Sequence, residues 1–277
     1  MTSATTKLAD LRAHLREAEA VVVGFSGGVD SALLAAVAHS VLGHRALAVT
    51  AVSPSLPAAE RRAAKAFARA NGIAHVEVCT DEADRADYRA NNGDRCYHCK
   101  SALFDALEPL ARAMGGRIAL GTNLDDVRSE HRPGLRAAAE RGTIAPMVSA
   151  GLTKSDVREL SRRLGLSTAE KPAAACLASR VAYGDPVTPE ILARIEKAEN
   201  ALHKLGFEVC RVRSHHGGRL ARIEVPAADV AHVAEFRAEI DGAVRAAGFD
   251  FCALDLAGFT SGRMNVLLTV GGLRGAP

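Results

Sequence analysis

No apolar run in the 277-residue chain approaches the ~18 residues that a membrane-spanning helix needs. The first ten residues, Met1 to Asp10, also lack the short apolar core of a secretory signal, so the protein is expected to be cytoplasmic. Surplus charge is missing as well. A net charge of +3 is too small for the basic stripe of a nucleic-acid-binding domain, and the pairs Arg61-Arg62 and Arg162-Arg163 are expected on solvated helix faces. Neither a nucleic acid nor a membrane is therefore an expected partner. Cysteine is sparse: Cys79, Cys96, Cys99, Cys176, Cys210 and Cys252 are spread along the chain, unlike the dense disulfide framework of a small secreted domain. Reduced thiols or metal ligands are expected instead. The chain contains no G-x-x-x-x-G-K-[ST] segment either, which argues against a P-loop nucleotide site.

What the chain does have is length and 48% apolar residues, enough for one full core and a second, smaller one. Through residue 165, apolar runs bounded by turn residues alternate with amphipathic stretches, the pattern of an α/β unit with a parallel sheet. Strands are predicted at Ala20 to Phe25, Ala46 to Val52, His75 to Cys79, Arg117 to Gly121 and Thr143 to Pro146. Helices are predicted near Ser31 to Leu42, Ala58 to Ala70, Cys99 to Met114, Gly134 to Arg141 and Lys154 to Leu164. Residues 167–187 lose all periodicity and read as a functional loop. Thr188 and Pro189 then suit the N-cap and first position of a helix ending near Gly206. Strands at Glu208 to Arg213 and Ala221 to Val225, a helix from Pro226 to Ala247, and strands at Phe251 to Leu256 and Met264 to Val270 complete a smaller α+β layer. The expected domains are 1–166, a linker 167–187 carrying Cys176, and 188–277.

The strand Val21-Val22-Val23-Gly24-Phe25 runs directly into Ser26-Gly27-Gly28-Val29-Asp30-Ser31 and then into a helix. Adjacent glycines let the backbone curl so that several N–H groups face one point, and the helix adds its positive dipole end; together they form an anion cradle. The Ser26 and Ser31 hydroxyls can donate to phosphate oxygens, while Asp30 can hold magnesium or fix the turn. An ordinary strand-to-helix turn would account for Gly27-Gly28 alone, but not for all six residues in this context. The hexad resembles the PP-loop of the ATP pyrophosphatase superfamily, whose members include amidating ligases and tRNA thiolases. That resemblance implies an adenine nucleotide α-hydrolase-like fold, ATP with Mg2+ as reactants, and transfer of AMP to an acceptor oxygen. Lys154-Ser155-Asp156-Val157-Arg158 is similar to the superfamily's later helix.

Asp94-Arg95-Cys96-Tyr97-His98-Cys99-Lys100 places a C-x-x-C pair at a helix amino terminus, where the dipole, Arg95 and Lys100 favour thiolates. A structural zinc site would need four ligands, and no second C-x-x-C exists; a redox dithiol remains open. Cys176 lies in irregular chain beside Arg180, which suits an accessible thiolate, with an inert buried thiol as the alternative. Cys79, Cys210 and Cys252 fall in strand-like runs and are expected in the core. Arg211 and Arg213 share one strand face, where they would suit an anionic ligand or simply a solvated edge. Asp125 and Asp126 follow a strand's carboxyl end, where open α/β sheets bind ligands. Glu196 and Glu199 are weaker metal candidates, expected on a solvated helix face.

These segments, together with Gly121-Thr122-Asn123-Leu124-Asp125-Asp126, Arg132-Pro133-Gly134, Lys171-Pro172 through Cys176-Leu177-Ala178-Ser179-Arg180, and Ala221-Arg222-Ile223-Glu224, resemble the LarE family over nearly the whole chain. The resemblance implies an ATP-dependent sulfurtransferase that adenylates a carboxylate of a pyridinium dicarboxylate mononucleotide and converts it to a thiocarboxylate, for the nickel-pincer nucleotide cofactor. In one branch the cysteine matching Cys176 gives up its sulfur; in another, three cysteines hold an iron–sulfur cluster. With Cys96, Cys99 and Cys176 this chain resembles the cluster branch, and a 4Fe–4S cluster on three thiolates leaves one iron open for an extra sulfide. The resemblance further implies nucleotide binding by Ser26, Gly27, Gly28, Asp30, Ser31, Asn123, Asp125 and Asp126. It also implies substrate binding by Ser179, Arg180, Arg211 and Arg213, and a homo-oligomer, expected as a hexamer. A tRNA thiolase, an ammonia-using amide ligase and a non-catalytic nucleotide sensor are the rival readings.

Overall fold

Val21, Val22 and Val23 are all buried, so the strand they form is covered on both faces rather than on one. The computed structural model describes residues 3–128, 133–260 and 262–267. By its contacts the chain divides into two units, Met1–Glu82 with Cys96–Ala174, and Ala83–Arg95 with Ala175–Pro277.

In the first unit, α1 (Ala4–Glu17) precedes β1 (Val21–Gly24), α2 (Val29–Leu42), β2 (Ala46–Val52), α3 (Ala58–Ala70) and β3 (His75–Cys79). The short α4 (Ala86–Arg89) belongs to the second unit. The chain returns through α5 (Arg95–Ala113), β4 (Arg117–Leu120), α6 (Leu124–Val127), α7 (Pro133–Glu140), α8 (Pro146–Ser149) and α9 (Lys154–Arg163). The four strands form an all-parallel sheet of order β3-β2-β1-β4, with Val23 paired to Ala48 on one side and Ala119 on the other. Alternate side chains of β1 serve two cores: Val21 and Val23 pack with Leu11, Leu33 and Leu160, while Val22 packs with Phe104 and Leu107. Helix α1, absent from the predicted elements, is started by a Ser3 side chain that accepts from the Thr6 N–H and buries Leu11 and Leu15. The predicted strand Thr143 to Pro146 is reduced to a single bridge between Ala119 and Ile144, because Pro146 has no N–H to donate and instead begins α8.

The second unit carries α10 (Pro189–Lys204), β5 (Arg211–His215), β6 (Leu220–Glu224), α11 (Val230–Glu235), α12 (Arg237–Ala247) and β7 (Phe251–Leu254). Thr188 caps α10 by accepting from the Ile191 N–H, with Pro189 in the first turn as predicted. The sheet order is β5-β6-β7, antiparallel then parallel. The predicted helix Pro226 to Ala247 opens with a 3₁₀ turn at Ala227–Asp229 and breaks at Phe236. There the backbone leaves helical angles (φ −101°, ψ 20°) while the ring packs edge-on against Phe207 and His232. Where a strand was predicted from Met264 to Val270, Arg263–Asn265 form a 3₁₀ turn, and 268–270 lie outside the described residues. Among the described residues no helix is long and apolar enough to cross a membrane.

Candidate functional site

Phe25 is fixed by β2: its N–H donates to the Val49 carbonyl, and the Thr50 hydroxyl donates to its carbonyl at 2.8 Å. The chain then turns at Gly27, whose φ of +72° favours glycine and whose missing side chain would meet the Ala64 Cβ at 2.9 Å. Gly28 is the N-cap of α2 with ordinary extended angles. The Ser31 Oγ accepts from the Ser26 N–H at 3.2 Å and donates to the Gly28 carbonyl at 3.1 Å, while the Ser26 and Ser31 hydroxyls lie 3.1 Å apart. The loop is thus preformed around its own two serines, at the amino terminus of a fourteen-residue helix.

Positive charge reaches the loop from far along the chain. The Lys154 Nζ donates to Asp30 Oδ2 at 2.5 Å, and the Lys171 Nζ donates to the Gly27 carbonyl at 3.0 Å and to Glu60 Oε2 at 2.6 Å. Lys171 is held in turn by Arg158, whose guanidinium donates to the Ala169 and Lys171 carbonyls. Two lysines therefore reach the loop, one at the first position of α9 and one after that helix; neither contact was visible from spacing alone.

The end of β4 completes the arrangement. Gly121 lies against α2 so closely that a Cβ would sit 2.8 Å from the Ser31 nitrogen. Asn123, 2% exposed, donates from Nδ2 to Asp30 Oδ1 at 2.9 Å and accepts from the Asp125 and Asp126 N–H groups through Oδ1. One amide thus caps α6 and fixes the PP-loop aspartate. Asp126 returns the cap by accepting from the Asn123 N–H, and Asp125 Oδ2 accepts from the Lys154 N–H at 2.7 Å. Both Asp30 oxygens accept hydrogen bonds, one from the Asn123 amide and one from the Lys154 ammonium.

Cys96 and Cys99 stand three residues apart on the first turns of α5, the former exposed and the latter half-buried. Helix α7 comes close beside them: a Cβ on Gly134 would lie 3.1 Å from the Lys100 Cγ and 3.6 Å from the Cys96 carbonyl. Arg132 lies outside the described residues. The Arg95 guanidinium is buried, donating to the Asn91 side chain and to the Ala178 carbonyl.

In the second unit Cys176 is exposed and precedes a 3₁₀ turn, Leu177–Arg180. Arg180 is buried, paired with Glu199 at 3.1 Å, and donates through Nη1 to the Ala175 and Cys176 carbonyls. Ser179 Oγ also donates to the Cys176 carbonyl, at 2.7 Å. Arg213 pairs with the fully buried Glu224 and donates to the Ser179 carbonyl at 3.2 Å. Arg211 lies over the Phe259 ring, and burial lowers its pKa, with the neighbouring Arg180 and Arg213 adding to that shift. The four predicted substrate residues Ser179, Arg180, Arg211 and Arg213 therefore belong to one neighbourhood of the second unit.

Three expectations are corrected. Glu199 is not on a solvated face but buried, accepting from Arg180 and from the Val212 N–H. Cys79 is exposed at the end of β3, not in the core. Cys252, also expected in the core, is half-buried, with its thiol pushed up to about 11; Cys210 is buried as expected, and burial pushes its thiol up to about 12. Among the described residues no group of three or more His, Cys, Asp and Glu side chains is gathered to hold a metal ion.

Comparison with known proteins places this geometry. The NAD synthase family matches residues 4–97, the stretch containing the loop. Over 271 residues, 97% of each chain, the sequence is 35% identical to the pyridinium-3,5-bisthiocarboxylic acid mononucleotide synthase of Lactiplantibacillus plantarum. It is 43% identical over 267 residues to an uncharacterized protein of Synechocystis sp., covering 95% of this chain and 98% of the relative. An uncharacterized protein of Methanocaldococcus jannaschii is 27% identical over 223 residues, 79% of this chain and 84% of its own.

Proposed function

The chain belongs to the LarE family of ATP-using PP-loop sulfurtransferases, and from that premise we propose that it adenylates a carboxylate of pyridinium-3,5-biscarboxylic acid mononucleotide. A carboxylate oxygen attacks the α-phosphorus and pyrophosphate leaves; sulfur then adds to the acyl carbon and AMP leaves, giving a thiocarboxylate. The observation that carries this reading is the preformed Ser26–Ser31 loop with Lys154, Lys171 and Asn123 drawn onto it. It occurs in a chain 35% identical along its length to a bisthiocarboxylate synthase.

In this reading the loop and the α2 amino terminus receive the phosphates of ATP, where N–H donors and the helix dipole favour negative charge. Lys154 is kept beside the loop by Asp30, and Lys171 by Glu60, so both cations are in place as pyrophosphate develops charge. Magnesium accompanies ATP, and a metal contact by Asp30 would draw that carboxylate away from Lys154. Asp125 and Asp126, anchored beside the loop through Asn123, complete the nucleotide end. Ser179, Arg180, Arg211 and Arg213 receive the phosphate and carboxylates of the acceptor, for which the half-buried Arg211 guanidinium is well suited.

Cys96, Cys99 and Cys176 are the proposed holders of a 4Fe–4S cluster, which when bound supplies the sulfur to be transferred. The donor chemistry fits: all three are thiols, two exposed and one half-buried, while the buried Cys210 is unsuited. The resemblance extends to a cytoplasmic homo-oligomer, proposed as hexameric. Anaerobically purified protein should be brown and contain iron, and Cys96→Ala should lose both; colourless, iron-free protein that still makes thiocarboxylate contradicts the cluster. Loss of a sulfur atom from Cys176 after turnover would mark sacrificial donation instead. Alanine at all three cysteines should abolish the thiocarboxylate, whereas an ammonia-using ligase would still form its amide in that variant.

A further inference from the structure

The segment Ala83–Arg95 lies in sequence between β3 and α5 of the first unit, yet groups with the second. What it does there is hold the loop that carries Cys176. Arg95, 4% exposed, donates through Nη1 to the Ala178 carbonyl at 2.8 Å and to Asn91 Oδ1 at 2.5 Å, and its guanidinium lies 5.7 Å from the centre of the Tyr183 ring. Asn91 is fully buried, adopts a φ of +55°, and donates from Nδ2 to the Ala182 carbonyl at 2.7 Å and the Asp185 carbonyl at 2.9 Å. Backbone contacts extend the hold, from the Gly184 N–H to the Asn91 carbonyl and from the Val187 N–H to the Arg89 carbonyl.

An irregular loop cannot satisfy its own carbonyls as a helix or sheet does, and buried carbonyls without partners are costly. Here six loop carbonyls accept from side chains, those of Cys176, Ala178 and Ala182 in addition to an N–H of the loop's own turns. Arg180 takes Ala175 and Cys176, Arg95 takes Ala178, Arg213 takes Ser179, and Asn91 takes Ala182 and Asp185. Arg180 and Arg213 are occupied by carboxylates and also belong to the proposed acceptor site. Arg95 stands outside that proposed acceptor set.

We propose that Arg95, oriented by Asn91, is a positioning residue for Cys176: it fixes the 176–185 loop so that the thiol is presented in one arrangement whether or not substrate is bound. The consequence for catalysis rests on the proposed role of Cys176 in sulfur transfer. Lysine cannot replace it fully, because an ammonium does not combine the Asn91 and Ala178 contacts with a planar face over Tyr183.

The test is Arg95→Met, followed by amide hydrogen exchange of the 176–187 peptide and by separate assays of pyrophosphate release and thiocarboxylate formation. Loss of a buried hydrogen bond from a charged group should speed exchange in that peptide by about tenfold or more, with the Ser26–Ser31 loop unchanged. Thiocarboxylate formation should fall by a similar factor while the KM for ATP and the rate of pyrophosphate release stay within about twofold. Arg95→Lys, which keeps the charge, should show the same split at reduced size and serves if Arg95→Met does not fold. Unchanged exchange in both variants, or an equal loss of pyrophosphate release and thiocarboxylate, overturns the proposal. The exchange measurement stands even if wild-type protein fails to act on the dicarboxylate nucleotide, so failure of the assigned reaction and failure of the positioning role are distinguishable.

Discussion

Replacing either glycine of the PP-loop by alanine adds one methyl group, yet the two substitutions should give opposite outcomes. Gly27 has φ +72°, where an L-residue costs about 1–2 kcal/mol, and its new Cβ would meet the Ala64 Cβ at 2.9 Å and Cα at 3.0 Å. Relief requires a shift of α3 or of the loop, and overpacking of this kind costs a further ~1–3 kcal/mol. The total of roughly 2–5 kcal/mol is a large part of a typical folding stability and corresponds to a Tm lowered by about 5–15 °C in a chain of this size. Gly28 has φ −77° and ψ 162°, and its nearest neighbour for a Cβ is the Ser26 Oγ at 3.5 Å, an ordinary contact. Gly28→Ala should leave Tm within about 2 °C, since the unfolded chain also loses freedom. Thermal unfolding of the three proteins, followed by circular dichroism with and without ATP, reads both effects. Any loss of ATP stabilisation in Gly28→Ala then reports on the approach of phosphate rather than on folding. Equal melting of Gly27→Ala and wild type would refute the reasoning.

Other consequences are equally direct. Lys154→Met leaves Asp30 without its cation and should reduce pyrophosphate release by at least tenfold, measured at saturating acceptor. Arg180→Met strands the buried Glu199 carboxylate and should destabilise the protein by about 3–5 kcal/mol in urea unfolding, with Glu199→Gln added to Arg180→Met recovering part of the loss. At pH 8 an alkylating reagent should modify the exposed Cys79, Cys96 and Cys176 in metal-free native protein well before Cys210, whose thiol is pushed up to about 12 by burial; peptide mass spectrometry gives the order. Burial is the chief cause lowering the pKa of His75 and of His215. Each binds its proton more readily when unfolded, so stability should fall as pH drops below about 6.5, and His75→Gln with His215→Gln should flatten that slope.

The local features were legible in the sequence because they are properties of short segments. The all-apolar Val21 to Val23 run announced a strand covered on both faces, Gly27-Gly28 announced the turn into α2, and Thr188-Pro189 announced the start of α10. What escaped are contacts between residues distant in sequence. Lys154 meets Asp30 across 124 positions and Lys171 meets Gly27 across 144, and no periodicity encodes either meeting. Glu199 looked solvated because it is charged, but it lies on the same stripe of α10 as the buried Ile195 and Leu202, where a buried arginine meets it. Arg95, adjacent to Cys96 in sequence, likewise meets Ala178 across 83 positions. The break at Phe236 depends on two aromatic neighbours, Phe207 and His232, that helix propensity cannot anticipate.

The central claim, that the Ser26–Ser31 loop activates a carboxylate for sulfur, is tested most directly by incubating the protein with ATP, Mg2+ and the pyridinium dicarboxylate mononucleotide while pyrophosphate and AMP are quantified. The account predicts pyrophosphate release dependent on the dicarboxylate, with AMP and a thiocarboxylate product appearing when the sulfur carrier is intact. Release of ADP and phosphate instead, or no dependence on the dicarboxylate, would contradict it.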